Sequence, residues 1–261
     1  MNATEIRRII LEQSKRANVG HIGSALSIAD LIAALYGGVL RVEDPSDPDR
    51  DRFILSKGHA SLALYAALYL RGWLSGQDLS AYCGNGSLLG VHPEAALRGV
   101  DFATGSLGQG LCIGTGCALA ARLQHSDRRV YVLLSDAELN EGSVWEAALF
   151  AAHHRLHNLT AIVDVNGQQA LGKTADVLDL APLSAKWSSF GWVPMEVDGH
   201  DIPAIRSALL EAGTTDRPRV LLASTTFGKG VSYMCGQVKW HYWPMSDEEY
   251  AQAMSEIGCA R

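Results

Sequence analysis

Residues 129–168 read RVYVLLSDAELNEGSVWEAALFAAHHRLHNLTAIVDVNGQ, and their pattern decides the fold. Arg129–Leu134 and Leu159–Val165 are short, β-branched apolar runs, and between them Asn140–His154 carries apolar residues at helical spacing. The nearly unbroken apolar character of Val130 to Leu134 suits a strand covered by helices on both faces, so the segment predicts strand, crossover helix and parallel strand. Ligands of such sheets bind beyond the carboxyl ends of the strands. Here those ends carry Ser135-Asp136-Ala137 and Asp164-Val165-Asn166-Gly167-Gln168.

Working outward, Trp192–Val197 and Arg219–Ser224 read as two more strands, giving an α/β fold with a parallel sheet flanked by helices. Upstream, Thr4 is expected to cap a first helix carrying Ile6, Ile9 and Ile10, and Ser27–Tyr36 reads as a second, with the loop GHIGS (20–24) between them. Residues 44–51 (DPSDPDRD) form a turn-rich connection before Phe53–Leu55, and SKGHA (56–60) leads into an apolar helix through Leu70. GSLGQG (105–110) opens an Ala/Gly-rich helix to about Gln124, and Met245–Arg261 reads as a terminal helix capped by Ser246. With no linker, repeat or low-complexity block, the expectation is one domain over residues 1–261 with a short C-terminal helical tail.

Composition narrows the function. A chain of 261 residues, 48% hydrophobic, buries a substantial core, and a net charge of -6 lacks the basic footprint of a nucleic-acid binder. Met1 to Ala17 has no apolar segment or cleavage site of a leader, and no later run reaches membrane-spanning length, so neither nucleic acid nor membrane is an expected partner and the cytoplasm is the expected compartment. Cys83, Cys112, Cys117, Cys235 and Cys259 form no CxxC pair, which suggests reduced thiols instead of disulfides or zinc. Cys112 and Cys117, in a small-residue apolar segment, are expected to pack in the core.

Three features could carry chemistry. Asp136 and the Asn166 amide oxygen fall at neighbouring strand ends, where oxygen donors could hold a hard divalent cation beside a diphosphate; equally, Asp136 could cap the following helix and Asn166-Gly167 form an ordinary turn. His21, His59 and His92 each adjoin glycine or proline in a loop and could converge as hydrogen-bonding or proton-transfer groups, whereas His153, His154 and His157 read as structural residues at a helix C-terminus. The glycine-rich turn at 105–110 permits close backbone approach, or simply tight helix packing.

In order, GHIGSALS (20–27), SKGHA (56–60), GVHPE (90–94), GSLGQGL (105–111), SDAELNEG (135–142), DVNGQ (164–168) and FGKGVSYM (227–234) with the following Trp240-His241 resemble the successive motifs of the N-terminal, diphosphate-binding domain of transketolases, especially the split enzymes made of two short chains. The resemblance implies that Asp136, Asn166 and the Gln168 carbonyl ligate a metal, Mg²⁺ or alternatively Ca²⁺ or Mn²⁺, and that Gly105 and Leu107 lie along thiamine diphosphate with Ala137 against its diphosphate. It sets His21, His59 and His92 around the reacting carbon, adds His241 from the matching late loop, and matches Glu141 and Glu146 to acids that cluster between paired active sites.

The activity so implied is two-carbon ketol transfer from a ketose phosphate donor. Because the sequence stops at Arg261, before the region that supplies the activating glutamate in full-length enzymes, the resemblance also implies a separate C-terminal, pyrimidine-binding subunit, joined in an α2β2 heterotetramer. Two alternatives stand beside it: a specialised transferase delivering the ketol unit to a lipoyl or carrier-protein-bound acceptor, and a non-catalytic cofactor-binding scaffold. The family's Gly-Asp-Gly is Ser135-Asp136-Ala137 here, where the added methyl is expected to be tolerated with some weakening of diphosphate binding, and Ile22 replaces the usual proline after the first histidine, which is expected to reshape substrate access without removing the imidazole.

Overall fold

The computed structural model describes residues 1–211 and 215–259. Five parallel strands form the main sheet in the order β1 (Arg52–Leu55), β2 (Val130–Ser135), β3 (Leu159–Val165), β7 (Arg219–Ser224), β6 (Val193–Asp198), and a hairpin of β4 (Gln168–Gln169) and β5 (Gly172–Lys173) follows β3. The sequence reading finds four of the sheet strands and omits β1, whose four residues are too short a run to declare a period.

Alternation along the strands divides the apolar side chains between two cores. Phe53, Leu55, Tyr131, Leu133, Ile162 and Leu221 face helices α1 (Ala3–Ala17), α2 (Ile22–Ser27), α3 (Ala29–Ala34), α4 (Ser61–Leu70) and α10 (Ile202–Leu210). Short α5 (Gly76–Ser80), led by a Ser75 capping box, adds Leu79 to the same core. Ile54, Val132, Leu134, Val163 and Leu222 face α6 (Gln109–Leu123), α7 (Gly142–His153) and α9 (Leu183–Ser189). Every side chain of β2 is buried, each large one contributing about 1.5–3 kcal/mol relative to exposure, which is why this strand reads so plainly in sequence. Close approach of α6 to β2 depends on Gly114, where a β-carbon would lie 2.3 Å from Val132 Cγ2.

Local differences from the expected elements have simple causes. The first helix is capped by Asn2, whose side chain accepts from the Thr4 backbone N–H at 2.8 Å, so Thr4 lies inside it. The expected second helix begins earlier, at Ile22, breaks at Ile28 and ends in a π-turn over Leu35–Val39 that contains Gly38 at φ 144. Ser246 does cap α12 (Asp247–Cys259), accepting from the Glu249 N–H at 3.1 Å, and Ile257 carries that helix onto the core beside α1; Arg261 lies outside the described residues. Cys112 is exposed on α6 and Cys117 half-buried, so Cys112 is not core packing: the inward face of that helix is taken by Gly110, Gly114 and Ala118. Among the described residues no helix is long and apolar enough to cross a membrane.

Candidate active site

Beyond the carboxyl ends of β1, β2 and β3 lies a cavity of about 360 Å³, lined by His21, His59, His92, Gly105, Leu107, Ala137, Glu141, Asn166, Gln168 and His241, and also by Lys57, Asn140 and Gln169. Gln168 to Leu171 of the β4–β5 hairpin line one wall, with small α8 (Thr174–Leu178) following the hairpin, and α11 (Lys239–Tyr242) presents His241.

The histidines converge from distant segments. The His21, His59 and His241 rings have centroids 5.3 to 5.6 Å apart, and Phe227 stacks on His241 at 6.1 Å with an interplanar angle of 18°. His21 sits in the left-handed region at φ 61, and its N–H donates to the His241 carbonyl at 3.3 Å, which ties the two loops together. His92 packs on Gly105: φ there is 148, and a β-carbon would fall 2.7 Å from His92 Cδ2, so glycine is required for both conformation and space. These histidines are half-buried, not solvent-facing as a loop position suggests. Burial and the neighbouring His92 lower the His21 imidazole; burial, then Lys57 and the other histidines, hold His59 well below the ordinary range; burial, with His21 and Lys57, brings His241 down to about 4. His21, His59 and His241 are therefore biased towards the neutral form, in which a ring can donate from one nitrogen and accept at the other.

At the strand ends, Asp136 does begin a short 3₁₀ turn as a cap: Oδ1 accepts from the Ala137 N–H at 2.8 Å. Its Oδ2 accepts from the Gly167 N–H at 2.8 Å and from the Thr174 hydroxyl at 3.2 Å. Cap and strand-end donor are thus the same residue. Burial and the adjacent Asp164 carboxylate push Asp136 up to about 6. The Asn166 amide oxygen accepts from the Gln168 N–H at 2.9 Å. Ala137 keeps an ordinary negative φ, so alanine imposes no backbone strain there. Glu141, at the start of α7, is exposed at the cavity mouth and Glu146 is exposed further along that helix.

Three buried charged groups at the cavity's base carry no local signal of a role in the sequence. Lys57 Nζ donates to Asp164 Oδ2 at 2.5 Å, both side chains fully buried. Glu138, fully buried, accepts from the Gly108 N–H at 2.7 Å and from the Ser56 hydroxyl, clamping the 56–60 and 105–110 loops to the end of β2. Burial raises its carboxyl. All three lie inside the SKGHA, SDAELNEG and DVNGQ motifs, yet their partners are 30 to 107 residues away.

The cavity suits a polar occupant. His21 Nδ1, Asn140 Oδ1, Gln169 Nε2 and His241 Nδ1 are buried on its walls without a hydrogen-bond partner, a cost that a polar occupant would remove. Asp136 has no cationic side chain within salt-bridge distance among the described residues, while the oxygen donors of Asn166 and Gln168 stand beside it. Among the described residues no group of three His, Cys, Asp or Glu side chains is placed to hold a metal ion.

Residues 1–261 match the family model described as transketolase, thiamine diphosphate binding domain. The chain is 39% identical over 254 residues to an apulose-4-phosphate transketolase subunit of Phocaeicola vulgatus, covering 96% of this chain and 90% of that protein. It is 38% identical over 259 residues to the 6-deoxy-6-sulfo-D-fructose transketolase subunit SqwG of Clostridium sp. (strain MSTE9), covering 98% and 94% respectively. The transketolase structure from Campylobacter jejuni superposes with a TM-score of 0.90 at 32% identity, over 99% of this chain but 43% of that one. By its sheet, its motif order and these matches, the chain belongs to the transketolase family as a thiamine diphosphate binding domain.

Proposed function

We propose that this chain is the diphosphate-binding subunit of a thiamine-diphosphate-dependent two-carbon ketol transferase that acts with a separate pyrimidine-binding chain. The observation that carries the reading is the cavity itself, where neutral histidines with unpartnered nitrogens face oxygen donors at the strand ends. Relatives of nearly this length named as transketolase subunits support the partner. A heterotetramer of two such pairs and a cytoplasmic location belong to the same proposal, as does the single-domain reading of residues 1–261. The free thiols of Cys83, Cys112, Cys117 and Cys235 accord with a reducing compartment.

When bound, thiamine diphosphate supplies the electron sink for breaking a carbon–carbon bond. Asp136, the Asn166 amide oxygen and the Gln168 carbonyl would hold its divalent cation, Mg²⁺ or alternatively Ca²⁺ or Mn²⁺. Gly105 and Leu107 would flank the cofactor, and Ala137 would face its diphosphate. His21, His59, His92 and His241 would orient the ketose hydroxyls and move protons, and the lowered imidazoles of His21, His59 and His241 favour the neutral rings that this work needs. Glu141, exposed at the mouth, would belong to the acids that cluster between paired active sites. The two relatives, 39% and 38% identical, are named for different ketoses, so the substrate proposal stops at the class of anionic ketoses.

The test is reconstitution with the complementary chain and an assay of ketose cleavage. Turnover that needs both chains and falls with His59→Ala and Asp136→Ala supports the proposal. Cofactor binding without turnover against a panel of ketose phosphates and sulfonates would favour a scaffold instead.

A further inference from the structure

Resting on the reading that Asn166 gives an oxygen to a divalent cation, we propose that Asp164 and Lys57 form a buried positioning pair. Asp164 fixes the Asn166 carboxamide with its oxygen toward the cation, and Lys57 keeps the site's negative charge small enough for a diphosphate to be needed.

The geometry behind the first part is a carboxylate whose Oδ2 is filled by three donors. Asp164 Oδ2 accepts from Lys57 Nζ at 2.5 Å, Ser27 Oγ at 2.8 Å and Asn166 Nδ2 at 2.6 Å, and Oδ1 accepts from the Thr225 hydroxyl. Oδ2, the oxygen turned to Asn166, already takes three donors for its two lone pairs and is closed to a metal, and the carboxylate's other contacts are to Lys57, Ser27 and Thr225. Asp164 is therefore a support and not a ligand, although its backbone carbonyl accepts from the Asp136 N–H at 3.2 Å. The bond to Asn166 also decides which way that amide points. Flipped, its oxygen would face a carboxylate oxygen at 2.6 Å, a repulsive contact between two acceptors. As it stands, Oδ1 faces Gln168, whose own carbonyl is the third proposed donor. Supports of this kind typically carry about 10–100-fold in metal affinity.

The second part follows from charge. Lys57 and Asp164, both fully buried, cancel each other. Of the two neighbouring strand-end carboxylates, Asp136 is then the uncompensated one, and a divalent cation held by a single carboxylate and two neutral oxygens keeps about one positive charge for an anionic ligand. Without Lys57 two carboxylates would face the cation, which would then bind without the diphosphate.

The experiment titrates Mn²⁺ into the chain assembled with its complementary subunit, with and without thiamine diphosphate, and counts free Mn²⁺ by electron paramagnetic resonance. Asp164→Asn is expected to weaken Mn²⁺ binding in the presence of thiamine diphosphate by about 10–100-fold. Lys57→Met is expected to strengthen Mn²⁺ binding without thiamine diphosphate by about tenfold, narrowing the gap between the two conditions. Both variants within about threefold of wild type, or both shifted in one direction, would show a merely structural ion pair and overturn the proposal. If wild type itself takes no Mn²⁺ with thiamine diphosphate, the cofactor assignment fails first. Should Asp164→Asn not fold, the wild-type Asn166 carboxamide is read by side-chain amide NMR: proton exchange about tenfold slower than at exposed asparagines supports the contact, and free exchange refutes it.

Discussion

The two ends of the same sheet each bury an aspartate, and they treat it in opposite ways. At the amino ends of β1 and β2, Asp51 is held by the Arg41 guanidinium at 2.9 Å, the Arg129 guanidinium at 2.8 Å and the backbone N–H groups of Arg41 and Arg129 at 3.0 and 2.9 Å. Burial alone would raise its carboxyl; the hydrogen bonds from Arg41 and Arg129 reverse this and hold it below the ordinary range. At the carboxyl ends, Asp136 is also buried but faces another carboxylate, and rises to about 6. One end is satisfied by the chain's own residues and reads as architecture. The other leaves charge and ring nitrogens in need of an occupant, which is the signature of a site.

The contrast can be broken most forcefully at Asp136. Asp136→Asn should reduce ketose cleavage by the reconstituted enzyme to background while raising the thermal midpoint of the cofactor-free chain by a few degrees, because an unpaired buried charge is removed. A lower midpoint would mean that Asp136 is an architectural cap. Asp51→Ala should behave in reverse, costing about 1–3 kcal/mol in denaturant unfolding by leaving the Arg41 and Arg129 N–H groups without their acceptor, with the cofactor affinity of the folded fraction unchanged.

Two smaller effects sharpen the comparison. His59→Ala should lower the turnover number about a hundredfold with little change in melting temperature, as measured by steady-state kinetics beside thermal scans. The histidine cluster should also make the cofactor-free fold acid-sensitive. Because the folded value of His241 lies below the ordinary 6.5, at about 4, its contribution to stability is complete above about 6.5 and is lost as pH falls towards 4. Asp136 runs the other way: raised above 3.8 to about 6, its contribution is complete at low pH and is lost as pH rises through 6. In an Asp136→Asn background the opposing trend disappears, so stability measured between pH 4 and 6.5 should climb more steeply with pH than in wild type.

What could be read from sequence follows the same division. Strands β2 and β3 announce themselves because burial on both faces demands a continuous apolar run, and Leu159–Val165 has the bounds expected. The motifs named the cavity's histidines and strand-end donors, and folding brings His241, from the least regular of those motifs, within 5.3 Å of His21 and His59. Lys57 and Asp164 were invisible as a pair because 107 residues separate them and nothing local marks a lysine as buried. The early break at Ile28 and the exposure of Cys112 were likewise set by tertiary packing, which single-residue propensity does not carry.

The most direct test of the central claim is calorimetric titration of thiamine diphosphate with Mg²⁺ into this chain, alone and after mixing with its complementary subunit, followed by ketose cleavage in the same samples. Saturable binding with cleavage confined to the mixture is the predicted result. No binding in either sample would contradict the cofactor assignment, and cleavage by this chain alone would contradict the dependence on a partner.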